Sequence, residues 1–279
     1  MSTTWQTFGH EGVKEILDKA LANGRLAHAY LFAGPSGVGK RTLAEEFAKK
    51  ILGAGSLVNH PDFLPLDEPG EIKVERLREF TARVALRPLL GQNKVALINN
   101  AERLNAESAN ALLKTLEEAP PSTVIILVGR QQGLLPTVLS RCQILGFGAL
   151  SEPQLREFAQ TLPARVTNEM LGLCFGCPGE LVRLAAEQPW LESRLQAVST
   201  WRELKGQASA QRLLRVTELA ELENFQLYEL FGLWLDWELR QLRQQPKSFS
   251  VLEALRQAMV GIGQNRNKKS LLQSLFMSF

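Results

Sequence analysis

Hydrophobic positions divide the chain into two parts with different periods. Up to about residue 148, short unbroken apolar runs recur at 29–33 (AYLFA), 62–66 (DFLPL), 94–98 (KVALI), 123–128 (TVIILV) and 143–147 (QILGF). Segments with helical spacing separate them. Val74, Leu77, Phe80 and Val84 share one face, as do Ala109, Leu112, Leu113 and Leu116. Asn105 stands where a side chain would cap the second of these helices, and Pro120-Pro121 ends it. Strands that are apolar throughout, not alternately, are buried on both faces. Joined by helices, they predict a five-stranded parallel sheet covered on both sides. The expected first domain, residues 1–148, is therefore α/β.

After Gly148 the strand pattern stops. Ser151-Glu-Pro-Gln154 has the form of a capping box and opens a helix to about Thr161. Further helices are expected at 167–175 and 179–187, with a Gly-Cys-Pro-Gly turn at 176–179, making a small three-helix domain over 149–188. The remainder, 189–279, reads as an all-α domain of about five helices with breaks near Gly206, Glu223, Pro246 and Asn265. One of these helices, 223–244, carries Phe225, Leu227, Tyr228, Leu230, Phe231, Leu233, Trp234, Leu235 and Trp237 on more than one face. Such a helix is either the centre of a core or a surface that other subunits cover.

Composition narrows the class without naming it. With 279 residues, 45% hydrophobic and 22% charged, the chain has room for two or three compact domains and no disordered tract. A net charge of +3 is too small to argue for nucleic acid unless the charge is clustered. No apolar run is long enough for a membrane span. The first residues, MSTTWQTFGHEGVKE, lack the pattern of a signal peptide. Three cysteines without such a signal predict a reducing, cytoplasmic setting.

Chemistry concentrates in GPSGVGKRT, residues 34–42. Gly34, Gly39 and Lys40 fit the phosphate-binding pattern G-x-x-x-x-G-K-[ST], with Pro35, Ser36, Gly37 and Val38 between them. The strand at 29–33 runs into the glycines and a helix begins near Lys40, so loop amides and the helix dipole make an anion site. The plain alternative is a glycine turn that binds nothing. Arg41 replaces the hydroxyl residue that holds magnesium, and a hydroxyl comes only at Thr42. The acidic pair expected after a later strand is also missing, because VALINNAERLN places Asn99 and Asn100 there. Amide oxygens bind magnesium weakly and cannot act as a general base. Glu102, two residues on, is either a substitute for that pair or, as the plainer expectation, a solvent-facing charge near a helix start. The expectation is ATP or ADP held without hydrolysis.

Two smaller signals remain. Arg141, in LLPTVLSRCQILGF (134–147), lies between a short helical stretch and the last strand. It is either an ordinary surface arginine or a finger reaching a neighbour's nucleotide. Cys174-Phe-Gly-Cys177 has C-x-x-C spacing but no second ligand pair. Two packed thiols are expected there, with a redox pair as the alternative, and no zinc site.

HAYLFAGPSGVGKRTLAEEFAKKIL, NAERLNAESANALLKTLEEAPPSTVIILVGR and Ser140-Arg141-Cys142, with GCPGELVRLA and NRNKKSLLQSLFM further on, carry a family resemblance. Across essentially its whole length the chain resembles the AAA+ clamp-loader subunits of bacterial DNA polymerase III, in particular their delta-prime branch. The resemblance implies an AAA+ core (1–148), a helical lid (149–188) and a collar (189–279) that joins subunits. It implies that Arg141 acts in trans on ATP held by an adjacent motor subunit. Gly129 falls near the family's polar sensor, and Gly179 where hydrolysing members carry the lid's sensor arginine. The family's four-cysteine zinc module is missing, since only GAGSLVNH (53–60) separates the first loop helix from the next strand.

Implied partners are gamma/tau motor subunits, the delta subunit, the sliding clamp and primer–template DNA. For DNA, Lys73, Arg76 and Lys114, with Arg78 and Arg83, lie on the helices at 73–86 and 105–118. Such contacts would be to phosphates and sequence-blind. Glu71, Glu75 and Glu79 are interspersed, so a solvated basic face is the alternative. Alone, the chain is expected to be neither a polymerase nor an efficient ATPase. A gamma/tau-like or other P-loop ATPase with its own turnover, and a stand-alone DNA-binding module, are the competing readings.

Overall fold

The computed structural model describes residues 5–68, 70–242 and 249–279. The chain divides into two compact units. Met1–Thr161 and Gly176–Glu180 make the first, Leu162–Phe175 and Leu181–Phe279 the second.

In the first unit α1 (Glu11–Ala22) is followed by β1 (Ala29–Ala33), α2 (Lys40–Leu52), β2 (Phe63–Leu66), α3 (Val74–Val84) and β3 (Lys94–Asn99). A single 3-10 turn, Ala101–Arg103, leads to α4 (Ala106–Glu118), β4 (Thr123–Gly129), α5 (Pro136–Leu139), β5 (Gln143–Gly146) and α6 (Glu152–Gln160). The five strands form one parallel sheet in the order β2-β3-β4-β1-β5. In β1 the pleat alternates between two cores. Ala29, Leu31 and Ala33 join Leu77, Phe80, Leu112 and Leu127 on one face. Tyr30 and Phe32 join Leu17, Leu43, Phe47 and Phe147 on the other. Both faces are covered, which is why this run reads as apolar without alternation. Only β5, at the sheet edge, is mostly exposed.

Local signals set the element ends. Asn105 Oδ1 accepts the Ser108 N–H at 2.8 Å and caps α4, which stops two residues before Pro120. The Ser151 N–H donates to Gln154 Oε1 at 3.0 Å, the backbone half of the expected capping box. At the amino ends of β2 and β3, fully buried Asp62 accepts N–H bonds from Leu89, Leu90 and Gly91 at 2.6, 2.8 and 3.2 Å. Buried Lys94 donates to the carbonyls of Arg83 and Leu86. Together they hold the turn between α3 and β3.

The later elements are α7 (Asn168–Leu173), α8 (Pro178–Ala186), α9 (Gln188–Gly206), α10 (Ser209–Ala220), α11 (Asn224–Leu242), α12 (Phe249–Gly263) and α13 (Lys268–Met277). Helices end at or beside Gly206, Glu223 and Asn265 as expected, while the break expected near Pro246 lies outside the described residues. Trp201 and Trp234 stack at 4.7 Å in a core with Phe231, Leu255, Leu272 and Phe276. On α11, Leu227, Phe231 and Trp234 are fully buried, whereas Phe225 and Tyr228 are exposed. The helix is a core element with an aromatic outer face. Among the described residues, no helix is long and apolar enough to cross a membrane.

Candidate functional site

The site begins where β1 ends. The Gly34 N–H donates to Gly129 O at the end of β4 (3.1 Å), and the Phe147 N–H donates to Ala33 O (2.7 Å). Gly34 is thereby wedged among three strand ends, and a Cβ there would lie 2.2 Å from Phe147 O. The loop turns through Gly37 (φ 77°) and Gly39 (φ 98°), left-handed values that suit glycine, and enters α2 at Lys40. His10 Nε2 lies 2.7 Å from Val38 O, and the Gly179 N–H donates to Gly37 O at 2.8 Å. Lys40 is 7% exposed and donates to the carbonyls of Gly34 (2.7 Å) and Pro35 (2.5 Å). Burial lowers its pKa, and the Glu102 charge opposes that shift. Residues 34–42 thus form the loop expected of them, with the ammonium group inside and a helix N-terminus behind it.

The groups around the loop are paired in a way the sequence did not reveal. Arg41 Nε donates to Glu45 Oε1 at 2.9 Å and Nη1 pairs with Asp67 Oδ2. Asp67 Oδ1 also accepts from Asn99 Nδ2 at 2.9 Å. The Glu45 hydrogen bond, then burial working against it and the Asp67 charge, leave the Arg41 guanidinium with a raised pKa. Asp67 follows β2, and only the pairing of β2 with β3 brings it beside Asn99. The one hint in the sequence was its place at the carboxyl end of a parallel strand, where ligands collect.

Asn100 adopts a left-handed conformation (φ 52°) and starts the 3-10 turn that carries Glu102 back toward β4. Glu102 Oε2 accepts the Arg130 N–H at 3.1 Å. A Cβ on Gly129 would lie 2.2 Å from that oxygen. Glu102 is therefore half-buried beside the strand end, not the solvent-facing charge expected of it. Its carboxylate fills the space a side chain at 129 would use. Gly179 is similarly confined, with a Cβ placed 3.0 Å from Gly37 O.

A divalent cation needs oxygen donors free to bind it, and these residues do not fit one. Arg41 stands in the hydroxyl position, Asn99 and Asn100 are uncharged, and Asp67 is neutralised by Arg41.

Arg141 lies just beyond α5 and before β5, exposed, away from this cluster in its partners. Its Nε donates to Glu117 Oε1 at 2.8 Å, Nη2 pairs with the same oxygen, and Nη1 donates to Thr137 O at 2.9 Å. The expected nucleic-acid cations lie on or beside α3 and α4, among carboxylates. Lys73 is the exposed residue before α3, Arg76 bonds Glu68 (2.9 Å) and Glu79 (3.0 Å), and Lys114 lies 3.9 Å from Glu118. Cys174 is buried and Cys177 half-buried, and neither forms a disulfide. Among the described residues, no group of three or more His, Cys, Asp or Glu could hold a metal ion.

A parallel sheet in this order, with a glycine loop and lysine between β1 and α2 and helices after β5, is the fold of an AAA+ P-loop protein. A family model described as DNA polymerase III, delta subunit, matches residues 9–151. The chain belongs to the delta-prime family of DNA polymerase III clamp-loader subunits. It is 37% identical over 245 residues to the DNA polymerase III subunit delta' of Pseudomonas aeruginosa, a match covering 78% of this chain and 73% of that protein. It is 36% identical over 172 residues to the tau subunit of Escherichia coli, covering 54% of this chain but only 27% of that longer protein. A DNA polymerase III gamma subunit-related protein of Thermotoga maritima shares the fold, with a TM-score of 0.51, 20% identity, and coverage of 96% of this chain and 97% of that one.

Proposed function

We propose that the chain is the delta-prime component of a clamp loader, a AAA+ subunit that does not hydrolyse ATP itself and assists a neighbour that does. The observation that carries this reading is the pairing of Asp67 with Arg41 and Asn99, which leaves Asp67 unavailable to metal or water beside the loop. Glu102 is turned to the Arg130 N–H and the strand end. Lys40 and the loop amides still hold phosphates, so residues 34–42 bind ATP or ADP without turnover.

Arg141 acts in trans. Its guanidinium meets the charge that develops on the γ-phosphate bound by an adjacent gamma/tau motor subunit. The contact with Glu117 is an exposed ion pair, worth roughly 0.2–1 kcal/mol, so the side chain is released at little cost when a nucleotide approaches. The lid (149–188) and the collar (189–279) join the subunit to its partners, the delta subunit among them, with the exposed Phe225 and Tyr228 on α11 as contact residues. The complex places the sliding clamp on primer–template DNA in the cytoplasm. Lys73, Arg76 and Lys114 contact DNA phosphates there, after Arg76 gives up Glu68 and Glu79.

The test is steady-state ATP hydrolysis by the reconstituted loader with clamp and primed DNA. Arg141→Ala leaves assembly and melting temperature intact but lowers turnover severalfold, and Arg141→Lys rescues poorly because lysine lacks the planar fork. Unchanged turnover in an assembled mutant complex overturns the role of Arg141. Turnover by the isolated chain that disappears in Lys40→Ala overturns the non-hydrolysing reading.

A further inference from the structure

Phosphate loops ordinarily receive a nucleoside triphosphate as its magnesium complex, with the hydroxyl after the lysine on the metal. The disagreement between that arrangement and the residues here has a specific form. Arg41, the residue in the hydroxyl position, directs its guanidinium to Asp67, just past the carboxyl end of β2, and Asn99 donates to the other oxygen of that carboxylate. A divalent ion entering this position would lose Asp67 as a free donor and would sit next to a fixed positive charge. At about 4 Å, unlike the attraction that holds ion pairs, that proximity is repulsive.

We infer that Arg41 takes the place of the divalent cation and that the loop binds nucleoside di- or triphosphate in its metal-free form. The inference rests on the nucleotide-holding reading of residues 34–42. Lys40 supplies the cation inside the loop. Arg41 supplies the one at the rim, where its side chain is half exposed. Glu45 and Asp67 fix the guanidinium through Nε and Nη1, which leaves Nη2 without a hydrogen bond among the described residues. A planar donor fork held on one side and open on the other is suited to phosphate oxygens. A lysine at this position would bring the charge without the fork. The ligand is therefore the free polyphosphate, with arginine doing by hydrogen bonds what magnesium does by coordination.

The experiment is direct binding of a fluorescent ADP analogue, and of ATP in competition with it, to the purified full chain in excess EDTA and in excess magnesium. Affinity in EDTA is expected to equal or exceed that in magnesium. Arg41→Thr, which restores the hydroxyl and frees Asp67, is expected to weaken binding in EDTA about tenfold, the scale of one lost charge-assisted contact. The same variant should now bind more tightly when magnesium is added. Arg41→Lys keeps part of the metal-free affinity, and melting curves confirm that both variants fold. Wild-type binding that requires magnesium, or an Arg41→Thr variant indistinguishable from wild type, overturns the inference while leaving nucleotide binding in place. No binding in either condition overturns the nucleotide-holding reading and the inference with it.

Discussion

The phosphate loop follows the carboxyl end of β1 and Arg141 precedes the amino end of β5 in the same parallel sheet, yet the two are built on opposite terms. The loop is over-determined. Gly34 is wedged between Gly129 and Phe147, Gly37 is bonded by Gly179, and Val38 by His10. Arg141 hangs from the surface by an exposed pair with Glu117 and one bond to a carbonyl. Around the loop, the charged groups are engaged by other parts of the chain, Arg41 by Asp67 and Glu102 by the Arg130 backbone N–H. At the junction, the guanidinium stays at the surface. The difference teaches that the shape of a phosphate loop is kept by packing, independently of its chemistry. Glycines that route the chain between strand ends are held in place by sterics even where metal donors are gone.

If packing keeps the loop, substitution there should cost stability first. Gly34→Ala would place a Cβ 2.2 Å from Phe147 O and 3.0 Å from Phe147 Cβ, atoms of a strand end that cannot step aside. A loss of about 3 kcal/mol is expected, at the upper end for overpacking a tight site. It is read from the urea midpoint of the isolated chain at unchanged slope. A midpoint equal to wild type would show that the loop is not wedged and would remove the contrast with Arg141.

A smaller effect is expected at the amino ends of the strands, where a buried carboxylate serves only the backbone. Burial acts to raise the Asp62 pKa, but the N–H bonds from Leu89, Leu90 and Gly91 outweigh it and hold the group below its ordinary value of 3.8. Its contribution is therefore complete above that value and is lost as pH falls below it toward the folded pKa. Asp62→Asn places an amide donor against N–H donors and is expected to cost about 2 kcal/mol at neutral pH. The variant should also show a shallower loss of stability in acid. Parallel acid curves for the two proteins would mean that Asp62 does not carry that charge-dependent stability.

The smallest change in stability belongs to the junction. Glu117→Gln removes the anionic partner of Arg141 and is expected to shift stability by less than about 0.5 kcal/mol, as for other exposed pairs. In the assembled loader it should leave ATP hydrolysis as fast as wild type or faster, since the guanidinium is freed. A melting point lowered as far as that of Gly34→Ala, or turnover lowered as in Arg141→Ala, would show that the pair is structural and that the junction resembles the loop after all.

Most of the fold was legible in short-range signals. Unbroken apolar runs marked the strands, helical spacing marked Val74–Val84 and Ala106–Glu118, and Asn105 and Ser151 marked helix starts. The glycines and lysine of residues 34–42 and the place of Arg141 before the last strand were legible for the same reason, because each depends on neighbours within one turn or one strand. Tertiary structure alone decided which charges meet. Asp67 reaches Arg41 and Asn99 only because β2 lies beside β3, and strand order is not encoded in residue spacing. Glu102 turns inward because Asn100 is left-handed and Gly129 leaves room for a carboxylate. Gly179 meets Gly37 only after the chain has left the sheet and returned at the start of α8. Hydrophobic period and capping act over a few residues, whereas an ion pair depends on where two distant backbones have been brought, so the scaffold was readable and the state of its site was not.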